Sequence, residues 1–269
     1  MEYNFGLTAQ DYAKHRAGFP DEFFERVFAD GIVPPNASLL DLGTGTGTLA
    51  RGFAARGCSV IGMDISAQLL EQAKNLSLQQ GLTVEFRLGK AEETELPDET
   101  FDVVAAGQCW HWFDRPLAAQ EVKRLLKPGG RVLIAHFDWL PLPGNVVDQT
   151  ERLIQTYNPK WYERFGNKNG SYPDWFRDLR EAGFEGVTSF SFDVDVPYSA
   201  EAWRGRIRAS AGVGGSLSAD EVVRFDSQLK HLLEGMEQAQ VKREAQESSV
   251  FLIPHCVFVI HARRSKSNI

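Results

Sequence analysis

The sequence predicts an α/β fold, a doubly wound and mostly parallel sheet with helices on both faces. Three observations support this. Short apolar runs alternate with helix-patterned stretches through the first half of the chain. No internal repeat or low-complexity tract points to a solenoid or fibre. Hydrophobic residues make up 43% and charged residues 24% of 269 residues, the balance of a soluble globular chain long enough for one sizeable core.

The expected strands of the first half are 38–42, 59–64, 83–88, 101–106 and 131–137. Helix-like patterns at 49–56, 67–80 and 116–126 lie between them, so successive strands should run parallel. The rhythm breaks at 139–172, where Pro, Gly, Asn and aromatic residues suggest an insertion with the character of a lid. A short helix follows at 174–182, closed by Gly183. Two later β-like runs, 187–196 and 250–262, complete a seven-stranded sheet with an antiparallel last strand. A helical insertion separates them. Its second helix opens on a capping box, Ser218 with Glu221, and shows a core-facing stripe of Val222, Phe225, Leu229, Leu232 and Met236. The expected organisation is a single domain over 1–269. Its core is about 31–138 plus 173–196 and 250–262, with a helical cap from 1–30, 139–172 and 197–249.

The formal net charge of −7 disfavours nucleic acid as a partner, because binding a phosphate backbone normally needs a basic stripe. The one basic run, HARRSK at 261–266, reads as the solvated end of a strand. Cys58, Cys109 and Cys256 are an odd, scattered set without a CxxC, so neither a disulfide framework nor a thiolate zinc site is expected. His136 and Asp138 alternate along a strand end, but six histidines without HxH or HExxH give no metal site. The segment MEYNFGLTAQ lacks the pattern of a signal peptide, and FLIPHCVFVI is too short to span a bilayer. A cytoplasmic protein without membrane partners is the expectation; oligomeric state is not legible.

Chemistry concentrates in LLDLGTGTG, residues 39–47, where three alternate glycines follow a strand and precede a helix. Residues without Cβ let the backbone approach a ligand closely. Gly45, Gly47 and Ala50 also satisfy the GxGxxA fingerprint of NAD-binding proteins, so the loop alone leaves the cofactor open. Asp64 ends the second strand, where its carboxylate could accept both hydroxyls of a ribose or oppose the dipole of the following helix.

Over roughly residues 10–138 the chain resembles the class I S-adenosylmethionine-dependent methyltransferases, in the type 11 group that includes ubiquinone and menaquinone biosynthesis enzymes. Asp41 before GxGxG, Asp64 after the second strand, GKAEETELPDETFDVV and EVKRLLKPGGRVLI carry the resemblance in order. It implies a Rossmann-like fold, S-adenosyl-L-methionine as methyl donor, S-adenosyl-L-homocysteine as product and a small-molecule acceptor. It also implies that the loop of Asp41, Gly43, Thr44, Gly45 and Gly47 holds the methionine part of the donor. Asp64, with Ile65 beside it, would hold the ribose, and Gly89 to Glu92 the adenine. Lys90 stands where relatives commonly have Asp and cannot accept a hydrogen bond. Ala91 would offer its amide, with Glu92 as the replacement acceptor.

The loop after the fourth strand, Gly107 to Asp114, lies where relatives line the sulfonium. Gln108 and Trp110 are its cofactor candidates, since Trp has a face suited to a cation. His111 is the candidate base, because an imidazole titrates near neutrality. Trp112, His136 and Arg208 are substrate candidates, Arg208 sharing a helical face with Arg204. Tyr12 and Arg16 resemble the YxxxR element that covers the cofactor in relatives, with Arg suited to a carboxylate. Acceptor choice would rest with the insertions, which contain Trp139, Trp161 and Trp203. The competing readings are a NAD-dependent oxidoreductase and a non-catalytic S-adenosylmethionine-binding protein.

Overall fold

The computed structural model describes residues 18–161, 170–244 and 250–266. Tyr12 and Arg16 lie outside the described residues. The elements run α1 (Asp21–Ala29), β1 (Ser38–Leu42), α2 (Thr48–Ala54), β2 (Ser59–Asp64), α3 (Ala67–Gln79), β3 (Glu85–Leu88) and β4 (Phe101–Gly107). A 3₁₀ turn (Trp110–Trp112) leads to α4 (Arg115–Leu125), β5 (Leu126–Trp139) and α5 (Val146–Tyr157). The chain continues through α6 (Asp174–Glu181), β6 (Glu185–Ser199), α7 (Ala200–Arg208), α8 (Ala219–Glu244) and β7 (Val250–Arg263).

The seven strands form one sheet in the order β3-β2-β1-β4-β5-β7-β6, with six parallel and the last antiparallel. This is the expected fold class. The registers Leu42↔Met63, Asp64↔Leu88, Leu42↔Ala106 and Gly107↔Ala135 bring the carboxyl ends of β1 to β4 to one edge. β1 pairs with β2 on one side and β4 on the other, so the winding reverses between β1 and β4. A reversal of this kind opens a crevice at the carboxyl edge, where ligands of doubly wound sheets bind.

The chain divides into two compact units. Of the described residues, one comprises 18–137, 171–192 and 257–266; the other comprises 138–161, 170, 193–244 and 250–256. The first contains the nucleotide-type motifs. Its core joins Leu40, Leu42, Val104, Ala106 and Ile134 of the sheet to Val122, Leu125, Trp175 and Leu179 of α4 and α6. α1 belongs to this unit, because Phe23 and Phe24 pack edge-on against Phe53 of α2. Gly183 closes α6 with a φ of +77°, and its N–H and that of Phe184 return to the carbonyls of Arg180 and Leu179.

In the second unit α5, α7 and α8 share a core of Val147, Ile154, Trp203, Ile207, Phe225, Leu229 and Leu233. The capping box of α8 forms as its sequence predicts: the Ser218 N–H donates to Glu221 over 2.9 Å, and the Glu221 N–H donates to the Ser218 hydroxyl over 3.4 Å. α5 is a regular helix inside the stretch expected to be irregular, capped by Asn145, whose side chain accepts from the Asp148 N–H.

Candidate active site

The glycine loop leaves β1 and is fastened from beneath by Asp41. That side chain is 1% exposed, and its Oδ2 accepts from the Thr44 hydroxyl at 2.6 Å and the Ala50 N–H at 3.1 Å. Burial pushes its carboxyl up to about 7, against the lowering effect of the Thr44 and Ala50 hydrogen bonds. Asp41 therefore sets the loop from within rather than facing a ligand. Of the three glycines, Gly43 faces Cys109, where a Cβ would stand 2.8 Å from its Sγ, and Gly47 faces Phe86 at 3.1 Å. Gly45 differs. With φ at +56° and nothing within 4 Å of a Cβ position, it leaves open space above the backbone.

Asp64 ties β2 to this loop. Its Oδ2 accepts from the Gly45 N–H at 2.8 Å and its Oδ1 from the Ser66 N–H at 2.9 Å, at the cap of α3. Burial raises its pKa while those N–H groups oppose the rise. Since an ionised carboxylate has about four lone-pair directions, two backbone bonds leave capacity for ribose hydroxyls. Ile65 follows with its side chain 75% exposed.

The segment after β3 reaches the same edge. The Gly89 N–H donates to the Asp64 carbonyl at 3.0 Å, and Ala91 is buried in the core. Glu92 accepts from the Asp114 N–H at 2.9 Å, so one of its oxygens ties down the loop beyond the 3₁₀ turn. The adenine acceptor expected of Glu92 has to share the carboxylate with that bond.

Beyond β4, Gln108 adopts φ +61°, a conformation uncommon outside glycine, while its side chain donates to the Phe137 carbonyl at 3.1 Å. Trp110 is placed otherwise than the sequence suggests. Its indole is wholly buried in the core, and its N–H donates to Asp178 at 3.0 Å, so it offers no face to a sulfonium. Trp112 is 39% exposed beside His111, with ring centroids 4.8 Å apart. His111 in turn meets His136, Nδ1 to Nε2, at 3.3 Å.

His136 is 6% exposed, held between His111 and Tyr172 rather than presented to an acceptor. Arg208 pairs with Asp226 at 2.8 Å and Glu201 at 3.2 Å, and Arg204 binds the same two carboxylates, which balance their charge. Trp203 lies in the core of its unit, its N–H donating to the Thr150 hydroxyl. Trp139 and Trp161 both donate to Glu151, a carboxyl whose pKa burial raises. Sequence reasoning missed Tyr172; its only local signal is an aromatic cluster, Tyr172, Trp175 and Phe176, at the start of α6. Among the described residues no group of three His, Cys, Asp or Glu side chains could hold a metal ion, and no helix is long and apolar enough to cross a membrane.

Comparison with known proteins matches residues 40–134 to the family described as methyltransferase domain. An uncharacterized methyltransferase of Mycobacterium tuberculosis is 36% identical over 133 residues, 49% of this chain and 51% of the relative. The chain thus spans about half the length of that curated relative. A ubiquinone/menaquinone biosynthesis C-methyltransferase of Paraburkholderia xenovorans is 28% identical over 189 residues, 62% of this chain and 75% of its own. Among solved structures, phosphoethanolamine N-methyltransferase 2 of Haemonchus contortus, in complex with S-adenosyl-L-methionine, superposes with a TM-score of 0.55 at 17% identity. That match covers 97% of this chain and 56% of the other. The matched residues include the glycine loop, Asp64, the segment after β3 and the loop after β4, so residues 40–134 resemble a methyltransferase domain, and the chain shares the doubly wound fold of the solved methyltransferases.

Proposed function

We propose that the chain transfers a methyl group from S-adenosyl-L-methionine to a small-molecule acceptor. The observation that carries this reading is the common edge: the open backbone at Gly45, the Asp64 carboxylate bound to it, and the 89–92 segment joined to Asp64. In this reading Gly43, Thr44, Gly45 and Gly47 hold the methionine moiety, and Asp64 accepts from the ribose. Ile65, Ala91 and Glu92 border the adenine, and Gln108 lines the approach to the sulfonium. Bound there, the donor supplies an electrophilic methyl group on a positively charged sulfur.

The protein's own work is to hold the acceptor in line, exclude water, and remove a proton where the acceptor carries one. His111 is the proposed base, with Trp112 beside it. The net charge of −7 supports a small molecule over nucleic acid. All three cysteines are buried and outside any disulfide, which suits a reducing cytoplasm.

Calorimetry with S-adenosyl-L-homocysteine and with NADH tests the cofactor. Binding of NADH alone would overturn this reading in favour of an oxidoreductase. A methyl-transfer screen over phenols, carboxylic acids and amines then separates an enzyme from a protein that only binds the donor.

A further inference from the structure

The three arginines of α7 share one helix but not one face. Arg204 and Arg208 both pair with Glu201 and Asp226. Arg206 lies two residues on from Arg204, a turn of about 200° around the helix axis, and so faces the opposite way. Among the described residues no carboxylate closes an ion pair with it. The Tyr198 hydroxyl, one of the groups that act on its charge, is buried without a hydrogen-bond partner, and so is the hydroxyl of Ser210, one turn further along the chain. A buried polar group without a partner is rare enough to need a reason, and two of the three such atoms among the described residues lie here.

Aromatic rings wall this place within the second unit. The Arg206 guanidinium sits over the Trp139 ring, 4.6 Å from its centroid. The Trp139 N–H donates to Glu151 at 2.9 Å, and the other Glu151 oxygen accepts from Trp161 at 3.1 Å, which fixes the indole under the cation. Trp203 meets both Trp139 and Tyr198 edge-on, with centroids 5.5 and 5.4 Å apart. His255 stacks along Tyr198 at 6.1 Å. Burial, and to a lesser degree the Arg206 charge, brings its pKa down to about 4, so it adds no positive charge at pH 7. Burial also lowers the pKa of Arg206, against the Tyr198 phenol and the Asp138 carboxylate, which support its charge. Arg206 nevertheless stays part-exposed, so a solute can reach it.

We propose that Arg206 and Tyr198 form a binding site, inside the second unit, for the carboxylate of a small organic acid. A guanidinium presents five N–H donors in a planar fork that two carboxylate oxygens match. The acid supplies acceptors to that fork and to the Tyr198 hydroxyl, and its carbon part lies against the indole and phenol rings. Asp138 limits the charge the site takes. Arg206 balances one added negative charge, whereas a second is repelled by that carboxylate, so a monocarboxylate is preferred to phosphate. Glu151 is occupied by its two indole N–H groups. The site does not depend on the methyl-transfer reading: the acid is either the methyl acceptor or a regulator, and both present the same carboxylate.

The test is calorimetry of the full chain with acetate, benzoate and 4-hydroxybenzoate, with benzamide, benzylamine and inorganic phosphate as controls. At least one acid should bind at one site per chain, and every control about tenfold or more weaker. Arg206→Gln should weaken that acid about 10- to 100-fold, and Tyr198→Phe by less, while affinity for S-adenosyl-L-homocysteine holds in both. The acid should raise the thermal midpoint of the wild type and leave that of Arg206→Gln unmoved, a readout that a purely structural arginine would not give. Binding of none of the acids, a control bound as tightly, or wild-type affinity in Arg206→Gln overturns the proposal. If Arg206→Gln does not fold, Arg206→Lys keeps the charge without the fork and is read in the same way. Methyl-transfer rates separate the two sources of the carboxylate. A bound acid that is methylated, with KM raised in the variant, is the acceptor; one that is not methylated but changes the rate on another acceptor is a regulator. Acid binding without turnover on any acceptor counts against methyl transfer and leaves the site standing, whereas turnover without acid binding does the reverse.

Discussion

Asp41→Asn should remove a pH dependence of stability that the wild type carries. The Asp41 carboxyl is fully buried and its pKa stands at about 7 in the folded protein, against 3.8 for an ordinary aspartate. Between pH 4 and 7 the folded state keeps this proton while the unfolded chain has released it. Folding is therefore favoured at the acid end, and the contribution is lost as pH rises through 7. Each unit of difference corresponds to about 1.4 kcal/mol, so a rise of about three units amounts to roughly 4 kcal/mol. Burial at 1% exposure means that solvent screening takes little from this figure. Asparagine has nearly the same shape and still offers an oxygen to the Thr44 hydroxyl or the Ala50 N–H, but it cannot ionise. Urea unfolding of both proteins at pH steps from 4 to 8 should give free energies whose difference changes by about 4 kcal/mol, with the variant gaining relative stability toward pH 8. Parallel curves for the two proteins would refute the account of Asp41 as a protonated, buried anchor of the loop.

The other expectations follow from single contacts. Asp64→Ala removes the acceptor of Gly45 and Ser66 together with the proposed ribose contacts. Calorimetry should show S-adenosyl-L-homocysteine binding weakened about 10- to 100-fold, the effect of losing charged hydrogen bonds; unchanged affinity would remove Asp64 from the site. Trp110→Phe deletes the bond to Asp178 inside the core and should cost about 1–3 kcal/mol in urea unfolding. Affinity for the same ligand should hold, since the indole is buried away from solvent; a large loss would restore Trp110 to the binding surface. Phe225→Ala empties the centre of the second unit's core and should cost about 3–5 kcal/mol, read as a lower urea midpoint for the tryptophan fluorescence of that unit.

Local pattern made much of the fold legible. β1 and β2 form over the expected residues because an apolar run bounded by turn residues is a short-range signal. The same holds for the Ser218 cap and for Gly183. Where local signals compete, tertiary packing sets the element bounds. The strand expected at 131–137 begins instead at Leu126 and carries the KPGG stretch at 127–130, with a register shift opposite Phe101 and Val103. α5 was masked by the prolines, glycine and asparagine that precede it, although Val146, Val147, Thr150 and Ile154 already show one buried helical face.

By itself the sequence determined the succession of the seven strands and the place of the loop and acid that follow β1 and β2, since these depend on spacing along the chain. The tertiary structure alone decided which side chains face one another. It turned Trp110 into the core, bound Arg208 to Asp226, placed Asp41 under the loop and set Tyr172 against His136. Tyr172 and His136 are separated by 36 residues, and no periodicity carries over that distance. Only packing of β5 against the turn before α6 joins their hydrogen-bonding groups, because a buried donor or acceptor must find its partner wherever the fold brings one.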